Sequence, residues 1–498
     1  MTANPVPDKP DAMRRPTRRT AVFGLLALMA VAPAHAAVPD SAPDAVTHHV
    51  FMVGGQSVDF TVTAATLPLT DDKGERRAGM FHIAYTRDGA DPERRPITFV
   101  FNGGPGASSA YLHLGALGPR IVPFGADGEM PPPAAKLVDN PDHWLDLTDL
   151  VFVDPVGTGY SRPVGDGKRY WGVAEDLEAI ASFIDRYLTL TGRRSSPKYL
   201  VGESYGGFRA ARLPEALAEN HSIRLAGVFL VSPALEFSLI SGDALALLPD
   251  VLRLPSYAAV RLEQSGSLKP AALADAERFA MGPYLTALAA TPRNEAMMKE
   301  IAAEVARLTG VPETVIAQHD GRVPLGLFIK EARRSDKLLI SRYDGSATAP
   351  DPYPDSNRTR GDALYDNLRS VLANAMTDYL AQSLGVQTDL SYRVSNGQLV
   401  RQWNWRSGMG GRDGYAGAAD SLREVLAGNP GFKVVVAHGM TDLVTPYMTS
   451  RYVIDHLPAA LTAGRVTFSL HPGGHMMYLR ASSRASLHED AAKFYPAP

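Results

Sequence analysis

Tyr199-Leu200-Val201-Gly202-Glu203-Ser204-Tyr205-Gly206-Gly207 decides how this chain is read. A short apolar run ends at Val201, a glycine-flanked serine follows, and Phe208–Ala218 continues with helical spacing. Strand, sharp turn and helix in that order form the setting in which Gly-x-Ser-x-Gly presents a nucleophilic serine. Glycines are needed because the turn is tight and side chains there would strike neighbouring backbone. Ser204 is expected at the tip, with the Tyr205 N–H at the helix N-terminus facing any oxyanion that forms.

A serine hydroxyl needs a base, and the base an orienting acid. With this turn, both are expected later in the chain, acid before base. The apolar run Lys433–Ala437 is followed by His438-Gly439-Met440-Thr441-Asp442, which places Asp442 in a loop at a strand end. The run Arg465–Leu470 is followed by His471-Pro472-Gly473-Gly474-His475. His471 and His475 compete for the base; His471 abuts the strand, whereas His475 lies in a glycine-freed loop that can reach across, and is preferred. Further upstream, Asn102-Gly103-Gly104-Pro105-Gly106 follows the run Thr98–Phe101. Consecutive glycines let backbone N–H groups approach a substrate oxygen, so this loop is the expected second oxyanion donor.

Working outward, Thr98–Phe101, Leu150–Val153, Tyr199–Val201 and Val228–Val231 are unbroken apolar runs separated by helical stretches such as Val173–Leu190. Buried strands alternating with helices predict an α/β fold, a mostly parallel sheet covered on both faces. Residues 50–63 and 80–86 alternate at period two and are expected as antiparallel strands joined by the Asp71–Gly74 turn. The strand pattern then lapses between 236 and 424, which reads as a largely helical cap inserted into the sheet domain, with a Pro/Asp/Gly-rich loop around 341–362. The expected organisation is a signal peptide over 1–36, N-terminal β-strands over 37–95, the first part of the core over 96–235, the cap over 236–424 and the second part of the core over 425–498.

The signal rests on Arg14, Arg15, Arg18 and Arg19, the apolar run Ala21–Ala32 and the small-x-small site Ala34-His35-Ala36. Twelve apolar residues are too few to span ~30 Å of hydrocarbon. A periplasmic or secreted product without stable membrane insertion after cleavage is therefore expected. Lys and Arg total 50 against 53 Asp and Glu, so no nucleic-acid partner is indicated. The chain has no cysteine, which excludes disulfides, thiolate metal sites and thiol nucleophiles. No His-Glu-x-x-His, dinucleotide fingerprint or Walker lysine occurs, and neither metal nor cofactor is expected. His48-His49 is expected in a flexible, solvated N-terminus.

The Asn102–Gly106 loop, Asn140…Trp144…Asp154-Pro155-Val156-Gly157-Thr158-Gly159-Tyr160-Ser161, the Gly202–Gly207 turn, Gly439-x-x-Asp442 and Gly473-Gly474-His475-Met476 together closely resemble the serine carboxypeptidase family. The resemblance runs in order over roughly 96–235 and 430–480. It implies an α/β-hydrolase fold, a Ser204–Asp442–His475 triad and release of C-terminal residues from a peptide substrate. It also implies an oxyanion hole from the Gly104 and Tyr205 N–H groups. Asn102, the Gly103 N–H and Glu203 would then hold the substrate's terminal carboxylate. Three positions depart from the pattern. The family's Cys after the glycine loop is Ala107, a usual Trp is Val100, and a second Glu, fourteen residues after the Asn in well-known members, is Ala116. Carboxylate recognition is thus expected to be weaker, rebuilt or absent; Arg120 is near in sequence but reads as a solvated surface residue. An esterase or acyltransferase using the same triad is the alternative activity, and a catalytically silent binding protein the alternative class. An aminopeptidase with a Gly-Gly-Pro-Gly loop usually carries His where Asn102 stands.

Overall fold

The computed structural model describes residues 41–243, 245–406 and 416–496; the signal-like segment 1–36 lies outside them. Nine strands build the central sheet: β1 (Ala45–Val53), β2 (Gln56–Thr70), β3 (Arg76–Arg87), β4 (Ile97–Phe101), β5 (Asp149–Val153), β6 (Lys198–Glu203), β7 (Gly227–Val231), β8 (Lys433–Gly439) and β9 (Val466–His471). Their order across the sheet is β1-β2-β3-β5-β4-β6-β7-β8-β9, with the short strand Arg162–Pro163 pairing beside β3. From β5 to β9 every neighbouring pair is parallel, whereas β1, β2 and β3 are antiparallel. This is the α/β-hydrolase arrangement.

The parallel strands read as unbroken apolar runs because both of their faces are covered. Side chains alternate between two cores at the period-two spacing of a strand. Phe99, Phe101, Val151 and Leu200 pack with helices α1 (Val173–Leu190) and α2 (Tyr205–His221). Val100, Phe152, Val201 and Phe229 pack on the other side with Leu368 and Leu372 of helix α5 (Ala363–Asp378) and with Leu487 and Phe494 of α6 (Ala481–Phe494). Helices α3 (Leu248–Gln264), α4 (Glu295–Thr309) and α5 (Ala363–Asp378) lie between β7 and β8 in sequence. Tyr257 of α3 and Val305 of α4 form a third apolar cluster together with Phe328 of the short helix Leu325–Glu331. Among the described residues no helix is long and apolar enough to cross a membrane.

Two sequence expectations change. The alternating segment 50–63 is not one strand: it turns at Gly54-Gly55, both at positive φ, and returns as β2. Alternation continues through the turn because both arms of the hairpin are half-buried, so periodicity alone conceals the break. His48 and His49 accordingly sit within β1 rather than in a flexible tail. The His48 Nδ1 is 3.2 Å from Thr61 Oγ1, and the His49 Nε2 is 2.8 Å from Thr47 Oγ1.

Candidate active site

The loops after β4, β6, β8 and β9 converge at the carboxyl ends of adjacent parallel strands, where open α/β sheets place their ligands. Ser204 occupies the corner between β6 and α2 at φ 59°, ψ −124°, a positive-φ conformation that a non-glycine residue rarely adopts. Surrounding backbone holds it there. Its N–H donates to the Val231 carbonyl at 3.0 Å, and its carbonyl accepts from Gly207 and Ala234 N–H at 2.9 and 3.1 Å. A Cβ on Gly202 would lie 2.0 Å from the Gly206 carbonyl oxygen, and one on Gly206 would lie 2.7 Å from that of Phe101. Gly206→Ala is therefore expected to force β4 and α2 apart, costing about 1–3 kcal/mol, measurable as a lower Tm together with reduced turnover.

The glycine loop after β4 packs directly on this corner. A Cβ on Gly103 would meet Tyr205 N at 2.5 Å and the Ser204 Cβ at 2.9 Å, so only glycine lets the loop lie beside the serine. Gly104 is at φ 103°. A buried ion pair props the loop from below. Arg209 Nε donates to Asp176 at 2.8 Å, and Arg209 Nη1 donates to the Asn102 carbonyl at 2.8 Å.

Asp442 and His475 meet at the ends of neighbouring β8 and β9. The His475 Nδ1 lies 2.8 Å from Asp442 Oδ2; the carboxylate is fully buried and the imidazole 3% exposed. Asp442 Oδ1 accepts from the N–H groups of Val444 and Thr445, and Thr445 Oγ1 lies 2.7 Å from Oδ2. Glycine makes the meeting possible: a Cβ on Gly439 would fall 1.9 Å from the Gly474 carbonyl. His471 is placed differently, with Nε2 3.1 Å from Ser469 Oγ and 3.2 Å from Asp490 of α6.

Burial pushes the His475 imidazolium down, but the Asp442 charge and hydrogen bond, and then Glu203, outweigh it, leaving its pKa above the ordinary value. Glu203, 4% exposed, accepts at Oε2 from Asn102 Nδ2 and from the Tyr478 hydroxyl, both at 2.6 Å. Burial raises its pKa to about 7; His475, Tyr478 and Asn102 oppose the rise and Asp442 adds to it. The Asn102 amide is oriented by Leu112 N–H, which donates to its Oδ1 at 3.0 Å. Ala116 is buried in the His113–Leu117 turn, where its carbonyl accepts from Asn140. Arg120 pairs with Asp139 on the surface.

Several residues here escaped the sequence reading. The loop 341–347 braces the loops that carry Asp442 and His475: His475 N–H donates to the Tyr343 carbonyl at 2.5 Å, Leu443 N–H to the Arg342 carbonyl, and Thr441 Oγ1 to Asp344 at 2.7 Å. Only its Pro/Asp/Gly-rich composition marked this region. Tyr343 and Met476, flanking His475, line a cavity of ≈ 570 Å³. Thr445 and Tyr478 carried no motif at all. Among the described residues, no group of three His, Asp or Glu side chains is set to hold a metal ion.

The serine carboxypeptidase family model matches residues 68–239, and over that stretch the chain is similar to the serine carboxypeptidases. Among curated relatives, serine carboxypeptidase-like 45 of Arabidopsis thaliana is 28% identical over 178 residues, 34% of this chain and 36% of that one. Serine-type carboxypeptidase F of Aspergillus niger is 28% identical over 178 residues, 35% of this chain and 31% of the relative. The chain thus spans about a third of the length of these relatives. Among solved structures, a putative aryl esterase from Burkholderia cenocepacia covers 86% of this chain and 97% of its own at 15% identity and TM-score 0.36. The family match contains Asn102, Glu203 and Ser204 but stops short of Asp442 and His475.

Proposed function

We propose that this protein is a secreted or periplasmic serine carboxypeptidase that releases C-terminal residues from peptides through an acyl-enzyme, with the helical region 236–424 as its cap. The export reading is supported by the leader-like residues 1–36. In this mechanism Ser204 Oγ attacks the scissile carbonyl while His475 Nε2 takes its proton. Asp442 at Nδ1 holds the tautomer that leaves Nε2 free to accept. The Tyr205 and Gly104 N–H groups receive the oxyanion. His475 then protonates the leaving amine, the C–N bond breaks, and a water deprotonated by His475 releases the acyl group from Ser204.

The observation that favours a free C-terminal acid over an ester is Glu203, a buried carboxyl beside the nucleophile. An ionised Glu203 would repel a terminal carboxylate; a protonated one donates to it. Glu203 and His475 also interact, so they titrate as a pair. A carboxylate arriving beside Glu203 favours its protonated form, and a protonated Glu203 no longer stabilises the His475 imidazolium, which moves the imidazole toward the neutral form in which it acts as base. Substrate binding thereby favours both required protonation states at once.

For free-acid peptides, KM is expected to climb as pH passes through about 7, approaching about tenfold per pH unit where only the protonated form binds. KM for the matching amides and esters should stay level, and Glu203→Gln should flatten the acid-substrate curve. Steady-state kinetics against pH on both enzymes checks this; parallel curves would remove Glu203 from carboxylate recognition. The activity itself is tested with N-blocked dipeptides, their amides and their esters. Release of the C-terminal amino acid from the free acid supports the assignment, while turnover of esters alone points to an esterase or acyltransferase.

A further inference from the structure

Glu203 raises a question of geometry that Ala116 sharpens. Where a second glutamate is expected from the family pattern, this chain has a methyl group, yet Glu203 is not left with Asn102 alone. Tyr478, three residues beyond His475, reaches back with its hydroxyl 2.6 Å from Glu203 Oε2. Its ring passes over the helical turn that carries Ala116: a Cβ on Gly115 would lie 2.8 Å from Tyr478 Cε2, so the phenol occupies space beside that turn. The Asn102 amide, oriented by Leu112, donates to the same oxygen. Both donors therefore converge on Oε2, and among the described residues Oε1 has no hydrogen-bond partner within the chain.

We propose that Tyr478 is a positioning residue that stands in for the missing second carboxyl: with Asn102 it saturates Oε2, so that the proton of Glu203 resides on Oε1 and is offered to the substrate's terminal carboxylate. The inference rests on the carboxypeptidase reading and adds to it a residue that sets the pH range of acid recognition. Its electrostatic sign differs from that of a glutamate partner. A second carboxyl would disfavour ionisation by like charge, whereas a phenol donates to the anion and stabilises it. The phenol remains a donor because its own burial and the adjacent Glu203 push its pKa well above the usual tyrosine value. The other titratable groups acting on Glu203 are His475 from the loop after β9 and Asp442 from the loop after β8, with Tyr111 nearby from the segment after β4. Of these, His475 and Tyr478 lower its pKa and Asp442 raises it, so removing the phenol leaves burial less opposed.

Tyr478→Phe is expected to move the midpoint at which KM for free-acid peptides rises by about one pH unit toward alkaline pH, the scale of one hydrogen bond to a charged group. At acidic pH its KM should exceed the wild-type value, since Glu203 has lost one of its two anchors. In a Glu203→Gln background nothing titrates at that position, so adding Tyr478→Phe should produce no pH shift. A purely structural role for Tyr478 would change KM alike in both backgrounds and at every pH, and would overturn the proposal. If Glu203→Gln flattens the profile but Tyr478→Phe leaves the midpoint in place, this inference fails and the broader reading stands. If Glu203→Gln flattens nothing, or no free-acid peptide is cleaved, the broader reading fails. The infrared carboxyl band lost in Glu203→Gln then still reads the titration directly; its midpoint must move upward in Tyr478→Phe for Tyr478 to hold the assigned place.

Discussion

Ser204→Ala is expected to leave a folded protein whose turnover falls by on the order of 10⁴–10⁶, the loss typical when a serine hydrolase loses its nucleophile. Folding should survive because the corner is held by backbone. Ser204 is fixed through its N–H and carbonyl, to Val231, Gly207 and Ala234, and no cap hydrogen bond from its side chain is lost. Alanine accepts the same positive φ no worse than serine does, so circular dichroism and Tm should be nearly unchanged. A fluorophosphonate should label wild-type Ser204 and leave the variant unlabelled. An active Ser204→Ala protein, or a label found on another residue, would require a different nucleophile.

The second large effect separates the two histidines. His475→Ala should cost nearly as much turnover as Ser204→Ala, and the double variant little more, because nucleophile and base act as one unit. His471→Ala should behave in the opposite manner. Its ring bridges Ser469 and Asp490, so removing it leaves a carboxylate of α6 without that partner. The expected cost is about 1–3 kcal/mol of stability with turnover largely kept below the lowered Tm. Measuring kcat and Tm on both variants settles the pair: a His471→Ala protein that is stable but inactive would reverse the roles assigned here.

These two histidines also show why some features were legible in the chain and others were not. Strand, turn and helix around Ser204 are encoded within a dozen residues, by apolar runs and by glycines whose absent Cβ atoms are each required by a backbone contact. Local steric rules of that kind operate wherever the segment sits, so the α/β fold and the corner could be read before any tertiary contact was known. The β1–β2 break was missed because a half-buried hairpin keeps period two through its turn. His471 ends β9 and His475 follows four residues later in the next loop, and their surroundings come from distant segments: Asp490 of α6 for one, Asp442 and the Tyr343 carbonyl for the other.

The sequence by itself determined the alternation of buried strands and helices, the serine at its strained corner and the glycine loop beside it, since each follows from residues adjacent in the chain. The tertiary structure alone decided which imidazole lies on Asp442, that loop 341–347 braces the loops carrying Asp442 and His475, and that Tyr478 reaches Glu203 from 275 positions away. Those contacts depend on side-chain direction at the ends of strands brought together by the sheet, and on desolvation, which raises Glu203 only once the surrounding layers close over it. Neither direction nor burial at a loop is carried by local pattern, because both are set by what the rest of the fold places opposite.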